Sequence, residues 1–234
     1  MSEKKKLFCE IHNLAYEGVS FDTLGIVEPC PKCKEAREQR KARELKEMEQ
    51  RAKDEKLAYL LHYLETFSNL PKKYLYEKAD LNVGDIARYK GYLETPLQNN
   101  LFIFGGIGSG KTLFCTEIVK ANVDKAPIYL SGNELDLMRD GDYRLGDIIS
   151  KIDGKAIVIV DEIQMLIFNK RIRMLDAITD KAYSNGARIV FCGNIEKNQL
   201  AILKEAEFKR ITSRLKDGRL QMIEFKGRDL RGEI

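Results

Sequence analysis

Gly105-Gly106-Ile107-Gly108-Ser109-Gly110-Lys111-Thr112 reads G-x-x-x-x-G-K-T, the pattern of a phosphate-binding loop. It follows the apolar run Leu101-Phe102-Ile103-Phe104 and precedes a helix-like stretch that opens at Leu113. Strand, glycine loop and helix is the context the motif requires. Glycines let the backbone curl so that successive N–H groups point at one phosphate, and the helix N-terminus adds positive dipole at the same place. Lys111 is expected to reach the β- and γ-phosphates, and the Thr112 hydroxyl to ligate Mg²⁺. A chance glycine-rich turn is the competing reading, and the agreement of the motif with both flanks counts against it. Residues 105–113 are therefore expected to bind ATP or GTP.

Working outward, apolar strand-like and helical stretches alternate from about residue 68. That alternation implies an α/β fold, a parallel sheet covered on both faces. The expected strands are 101–105, 127–130, 156–160, 188–192 and 220–225. Ser131-Gly132-Asn133-Glu134 has the form of a capping box opening the helix after the second strand. Ala156 to Val160 is wholly apolar, the mark of a buried central strand, and Asp161-Glu162 follows at its carboxyl end, where such sheets bind ligands. Asp161 is expected to hold the Mg²⁺ shell and Glu162 to polarise an attacking water as general base. The pair could instead cap a helix, but the upstream phosphate loop favours chemistry. Cys192-Gly193-Asn194 closes the next strand and taken alone reads as a turn.

The beginning of the chain has a different character. Cys9-Glu10-Ile11-His12 and Cys30-Pro31-Lys32-Cys33 are two close pairs separated by a short loop, the ligand set of a four-coordinate zinc site. The intervening residues have too little apolar material for a core, so the metal would supply the folding energy. A closed Cys₃His set leaves no position for water, so this zinc is expected to be structural. Coincidental cysteines and a solvated histidine are the alternative. Cys115 and Cys192 sit among apolar residues and read as small core side chains.

Residues 34–56 are dense in Lys, Arg and Glu without Gly or Pro, which favours a solvated helix; Leu45, Met48 and Ala52 give it only a thin apolar seam. Leu57, Leu60, Leu61, Leu64 and Phe67 then fall on one helical face that should pack, and Pro71 ends the helix. His62 reads as a packing or surface residue. The expected organisation is a zinc module over 1–33, a charged linker and docking helix over 34–67, and a nucleotide domain over 68–234. A formal net charge of +4 over 234 residues advertises no large basic field for nucleic acid. No apolar stretch is long enough to span a bilayer and no signal-peptide hydrophobic region follows the charged start, so a cytoplasmic protein is expected.

With these motifs in place, the chain from about Asn69 onward resembles the DnaC/DnaI family of AAA+ helicase loaders, bacterial and phage-encoded. The resemblance runs through Leu70-Pro71-Lys72-Lys73-Tyr74, Ala79-Asp80-Leu81, the phosphate loop, Asp161-Glu162-Ile163, Cys192-Gly193-Asn194 and Arg210 to Leu215. It implies a P-loop NTPase of the AAA+ type, and the few residues after the last strand are too few for a full lid. It implies that Asn194 is the sensor that orients water beside the γ-phosphate. Arg214, with Arg210 as alternative, would be an arginine finger reaching a neighbouring subunit's site, and Arg231, with Arg228 as alternative, a second sensor. The resemblance further implies slow ATP hydrolysis to ADP stimulated by assembly or DNA, a DnaB-type hexameric helicase as partner, self-assembly through the ATP sites, and single-stranded DNA as the surface on which the helicase is placed. Lys170, Arg171 and Arg173, read as beginning the helix after the Asp-Glu strand, are candidates for DNA contact or plain surface charge; Phe168 beside them is a stacking or core residue. An IstB-like transposition helper is the nearest alternative. A zinc-containing nucleotide kinase is more distant, because its metal would sit in an internal lid after the phosphate loop.

Overall fold

The structure is a computed structural model describing residues 4–227 except 22–25, 68–69, 71, 77–78, 95–96, 126 and 140. The chain divides into two compact units, residues 1–55 and 56–234.

The first unit contains a β-hairpin that the sequence did not announce. β1 (Lys4–Cys9) and β2 (Leu14–Phe21) pair antiparallel from Lys4↔Val19 to Cys9↔Leu14, and the two-residue β3 (Ile26–Val27) adds to Ser20 and Phe21. The lysine run 4–6 hides the strand alternation, because both faces of β1 are largely exposed. Asn13 takes the left-handed conformation (φ 45°) in the hairpin turn, which its short side chain tolerates. α1 (Pro31–Phe67) opens on a proline, suited to a first turn whose N–H has no helical partner. It runs unbroken to Phe67, its residues divided between the two units after Glu55. Leu45 and Met48 are exposed, and Arg43 pairs with Glu47 at 3.1 Å.

The second unit begins within α1 and continues through three short helices, α2 (Lys72–Tyr76), α3 (Gly84–Tyr89) and α4 (Gly91–Glu94). Then comes the alternation: β4 (Leu101–Gly105), α5 (Lys111–Ala121), β5 (Ile128–Ser131), α6 (Gly132–Leu137), α7 (Tyr143–Ser150) and β6 (Ile157–Asp161). It continues with α8 (Ile163–Phe168), α9 (Ile172–Asn185), β7 (Arg188–Gly193), a 3₁₀ segment (Lys197–Lys204), α10 (Ala206–Asp217) and β8 (Gln221–Phe225). The five strands form one parallel sheet in the order β5-β6-β7-β4-β8.

Side chains alternate across this sheet and build two cores. Phe102, Phe104, Val158, Val160, Ile189 and Phe191 face α6, α8, α9 and α10. Leu101, Ile103, Ile157, Ile159, Val190, Cys192, Ile223 and Phe225 face the other way, against Leu61 and Leu64 of α1, Leu75, Ile86 and the buried side of α5. Both Cys115 and Cys192 are fully buried in this second core, as expected. Burying strands on both faces is what makes their sequences continuous apolar runs.

One polar residue joins four elements. Asn100, 4% exposed, accepts from Ile189 N–H at 2.9 Å through Oδ1 and donates through Nδ2 to Leu215 O at 3.1 Å. Its backbone bonds to Gly218 and Gln221. Asn100 thereby registers the entry to β4 against β7, α10 and β8.

Two sequence expectations need correction here. Two helices, not one, follow β6, so Lys170 and Arg171 lie in the connection between α8 and α9 rather than at the head of the first helix. Arg171 also turns its guanidinium to the carbonyls of Asp136 and Met138, tying down the end of α6. The capping box at Ser131 does not form: Ser131 precedes α6 but makes no side-chain cap bond, because its hydroxyl is used elsewhere.

Candidate functional site

The connections leaving β4, β6 and β7 meet at the carboxyl ends of the strands, in the crevice where such sheets take ligands. They line a cavity of about 260 Å³ with Gly108 to Leu113, Asp161, Glu162 and Asn194 in its wall, joined by Lys73 and Tyr74 of α2. The sequence-selected residues Lys111, Thr112, Asp161, Glu162 and Asn194 are thus brought together from three separate connections.

The loop has the backbone its sequence demands. Gly105 has φ 138°, and a Cβ there would stand 2.0 Å from the Phe225 carbonyl oxygen. Gly105 therefore lets β4 turn away while in contact with β8. The Lys111 ammonium folds back over the loop, donating to Gly106 O at 2.5 Å, Gly105 O at 3.1 Å and Ser109 Oγ at 3.2 Å. A cation encircled by backbone and hydroxyl oxygens at a helix N-terminus fits an anionic ligand.

Asp161 is held from three directions. Thr112 Oγ1 donates to its Oδ2 at 2.8 Å, the Tyr129 hydroxyl donates to the same oxygen at 2.9 Å, and the Glu162 N–H donates to Oδ1 at 2.8 Å. Burial, with the Asp161 charge next in size, pushes the Tyr129 phenol far above its ordinary pKa, so it remains a proton donor. The Thr112 hydroxyl and the Asp161 carboxylate present adjacent hard oxygen atoms, the donor chemistry Mg²⁺ prefers.

Glu162 adopts φ 55° and ψ 35°, the left-handed region, at the head of α8. For a non-glycine residue this is a strained conformation of the kind that gathers at functional sites. Its carboxylate accepts from Asn133 Nδ2 at 2.6 Å and from Ser131 Oγ at 2.9 Å, both on one oxygen. Gly132 between them is obligatory, since a Cβ there would lie 2.2 Å from the Glu162 carbonyl oxygen. Asn194 is positioned through its backbone, whose N–H donates to Gln164 Oε1 at 3.0 Å.

Tyr129, Ser131, Asn133 and Gln164 are the site residues that sequence reading missed. The usable signal was that 129–133 ends the strand beside β6, placing its polar side chains at the same sheet edge as Asp161.

Arg214 and Arg210 do not line this cavity. They project from α10 towards α9, one turn apart, opposite Asp176 and Asp180. Arg214 Nη1 lies 3.0 Å from Asp176 and its Nη2 contacts Asp180, leaving the side chain 16% exposed; Arg210 is 61% exposed and holds the same carboxylates at 3.4 and 3.6 Å. Phe168 is 53% exposed, so the core reading of it fails. Arg228 and Arg231 lie outside the described residues.

In the first unit, Cys9, His12, Cys30 and Cys33 converge with ligand atoms all within 4.8 Å of one another. His12 Nδ1 is 3.6, 3.4 and 3.3 Å from the sulfurs of Cys9, Cys30 and Cys33, and Cys9 Sγ is 3.7 Å from Cys33 Sγ. A tetrahedron with zinc–sulfur bonds of about 2.3 Å and a zinc–nitrogen bond of about 2.0 Å has edges of about 3.8 and 3.5 Å. The observed separations are close to those edges, and the four residues form a set that could hold zinc. The end of β1 supplies Cys9 and the turn after it His12, Cys30 directly precedes α1 and Cys33 lies in its first turn, and Cys33 N–H points at Cys30 Sγ (3.3 Å).

No protein-family model matches the sequence, and no curated protein does either. Solved structures match in fold. DnaI superposes with a TM-score of 0.53 at 17% identity, over 69% of this chain and 94% of that one. A protein from Streptococcus pyogenes serotype M3 described as a primosome component gives 0.52 at 17%, over 68% and 91%. The second unit shares the fold of DnaI, a five-stranded parallel sheet covered by helices. A third match, to a DNA replication initiation factor, has a TM-score of 0.48 at 20% identity; it covers 67% of this chain and only about half, 51%, of that one.

Proposed function

We propose that the protein is an ATP-dependent helicase loader. In this reading the second unit binds and slowly hydrolyses ATP, assembles with further copies through the ATP sites and contacts single-stranded DNA. The first unit grips a DnaB-type hexameric helicase. The observation that carries the nucleotide part is the convergence of Lys111, Thr112, Asp161, Glu162 and Asn194 on one cavity in this fold. The likeness to DnaI over nearly all of that chain, together with a separate Cys₃His unit, supports loading over the IstB-like helper.

The chemistry follows from the residues. The loop N–H groups and Lys111 bind the phosphates. Thr112 and Asp161 would hold Mg²⁺, which when bound offsets phosphate charge. Glu162 takes the proton of the attacking water once its carboxylate leaves Asn133 and Ser131, and Asn194 orients that water. Arg214, or Arg210 in its place, would enter from a neighbouring copy and stabilise charge in the transition state. Zinc held by Cys9, His12, Cys30 and Cys33 would fix the first unit. Among the described residues no helix is long and apolar enough to cross a membrane, which accords with a cytoplasmic replication role.

The test is capture of the host's replicative helicase by the full-length protein and by a chain beginning at Lys56, with ATP and zinc present. Capture by the full-length protein alone supports loading through the first unit. Capture by neither, with turnover still stimulated by DNA, overturns it in favour of the transposition helper.

A further inference from the structure

We propose that Tyr129 is a positioning residue for the metal-binding carboxylate, a buried donor that keeps Asp161 aimed at the site Mg²⁺ would occupy. The inference rests on the nucleotide reading above and deepens it. Tyr129 lies two residues before the end of β5, beside Ile159 of β6, and its hydroxyl crosses to Asp161 Oδ2 at 2.9 Å. Thr112 Oγ1 donates to the same oxygen at 2.8 Å. These two donors are not equivalent. The Thr112 oxygen would be a ligand of the metal through a lone pair, so that hydroxyl would serve two partners at once. The Tyr129 hydroxyl comes from a separate strand, β5, and is outside the set of expected metal ligands.

With Glu162 N–H fixing Oδ1, Tyr129 fixes Oδ2 together with Thr112, and the buried Cys192 thiol adds a weaker donor to the same carboxylate. A carboxylate pinned at both oxygens presents one lone-pair direction to a cation, whereas one pinned at a single oxygen swings. Partners that orient metal ligands in this way are worth about 10–100-fold in metal affinity.

The variant is Tyr129→Phe, which removes one oxygen and keeps the ring in its packing. Binding of a fluorescent ATP analogue is measured in EDTA and across a Mg²⁺ titration, with thermal melting of each protein as control. The expected result is unchanged affinity in EDTA and a Mg²⁺ midpoint raised about tenfold or more. An unchanged midpoint overturns the proposal. Equal weakening in EDTA and in Mg²⁺ also overturns it, because it assigns Tyr129 a purely structural role. A wild-type chain that binds no analogue under either condition overturns the nucleotide reading itself, and this inference with it.

Discussion

Asn133 holds Glu162: its amide nitrogen stands 2.6 Å from the carboxylate oxygen that Ser131 also engages. In this arrangement the expected base is occupied by two donors from the neighbouring strand connection. Asn133→Ala removes the shorter bond and should raise basal ATP turnover several-fold while leaving nucleotide affinity within about twofold. Steady-state phosphate release at saturating ATP checks this. A fall in turnover would mean that Asn133 supports Glu162 rather than restrains it.

Lys111→Ala should abolish detectable nucleotide binding. Charge-assisted bonds contribute about 1.5–3 kcal/mol each, and loss of two to phosphate corresponds to at least about 100-fold in affinity. Titration calorimetry measures the loss; folding is followed separately, since Lys111 also bonds to the loop.

Arg214→Ala should spare nucleotide binding and remove assembly-stimulated turnover. The ion pairs to Asp176 and Asp180 complicate the experiment, because truncation leaves two carboxylates without their less exposed partner. Arg210→Ala is the comparison: it disturbs the same carboxylates from a more exposed position. Melting temperature read alongside turnover separates a lost trans contact from a loosened α9–α10 packing. Retained stimulation in Arg214→Ala with loss in Arg210→Ala would transfer the finger role.

Zinc removal should unfold the first unit and leave the second folded. Structural zinc contributes about 10–16 kcal/mol of apparent folding free energy near neutral pH. Because thiolates and a neutral imidazole bind the metal, this stability is present at high pH and lost as pH falls and protons displace it. A chelator titration followed by circular dichroism and zinc release at several pH values tests both statements. Resistance of the 1–55 region to proteolysis after complete chelation would refute them.

Asn100→Ala should destabilise the second unit by about 2–4 kcal/mol, because it strands the buried Ile189 N–H and Leu215 carbonyl. Chemical denaturation measures it, and a change below about 1 kcal/mol would show that water replaces the side chain.

Much of this was legible in the chain because its chemistry is local. The phosphate loop, the apolar strand ending in Asp161 and Glu162, and the Cys and His pairs each carry their meaning within a few residues. So does the period that makes 101–105 and 157–161 buried strands. What stayed hidden depends on tertiary neighbours. Ser131 looked like a helix cap because nothing nearby in sequence says that Glu162 will lie beside it. Tyr129 falls inside the expected strand 127–130 and Asn100 just before 101–105, and nothing near either in sequence marks its tertiary partner. The first hairpin was masked by lysines that a half-exposed strand can carry.

The left-handed backbone of Glu162 has one more implication. Glycine would occupy φ 55° without the penalty of roughly 1–2 kcal/mol that an L side chain bears there. By backbone torsion alone glycine suits this position better, although Glu162→Gly would also give up the bonds from Ser131 and Asn133. A carboxylate kept at this torsion marks a place where the demands of the reaction and the demands of the fold point to different amino acids.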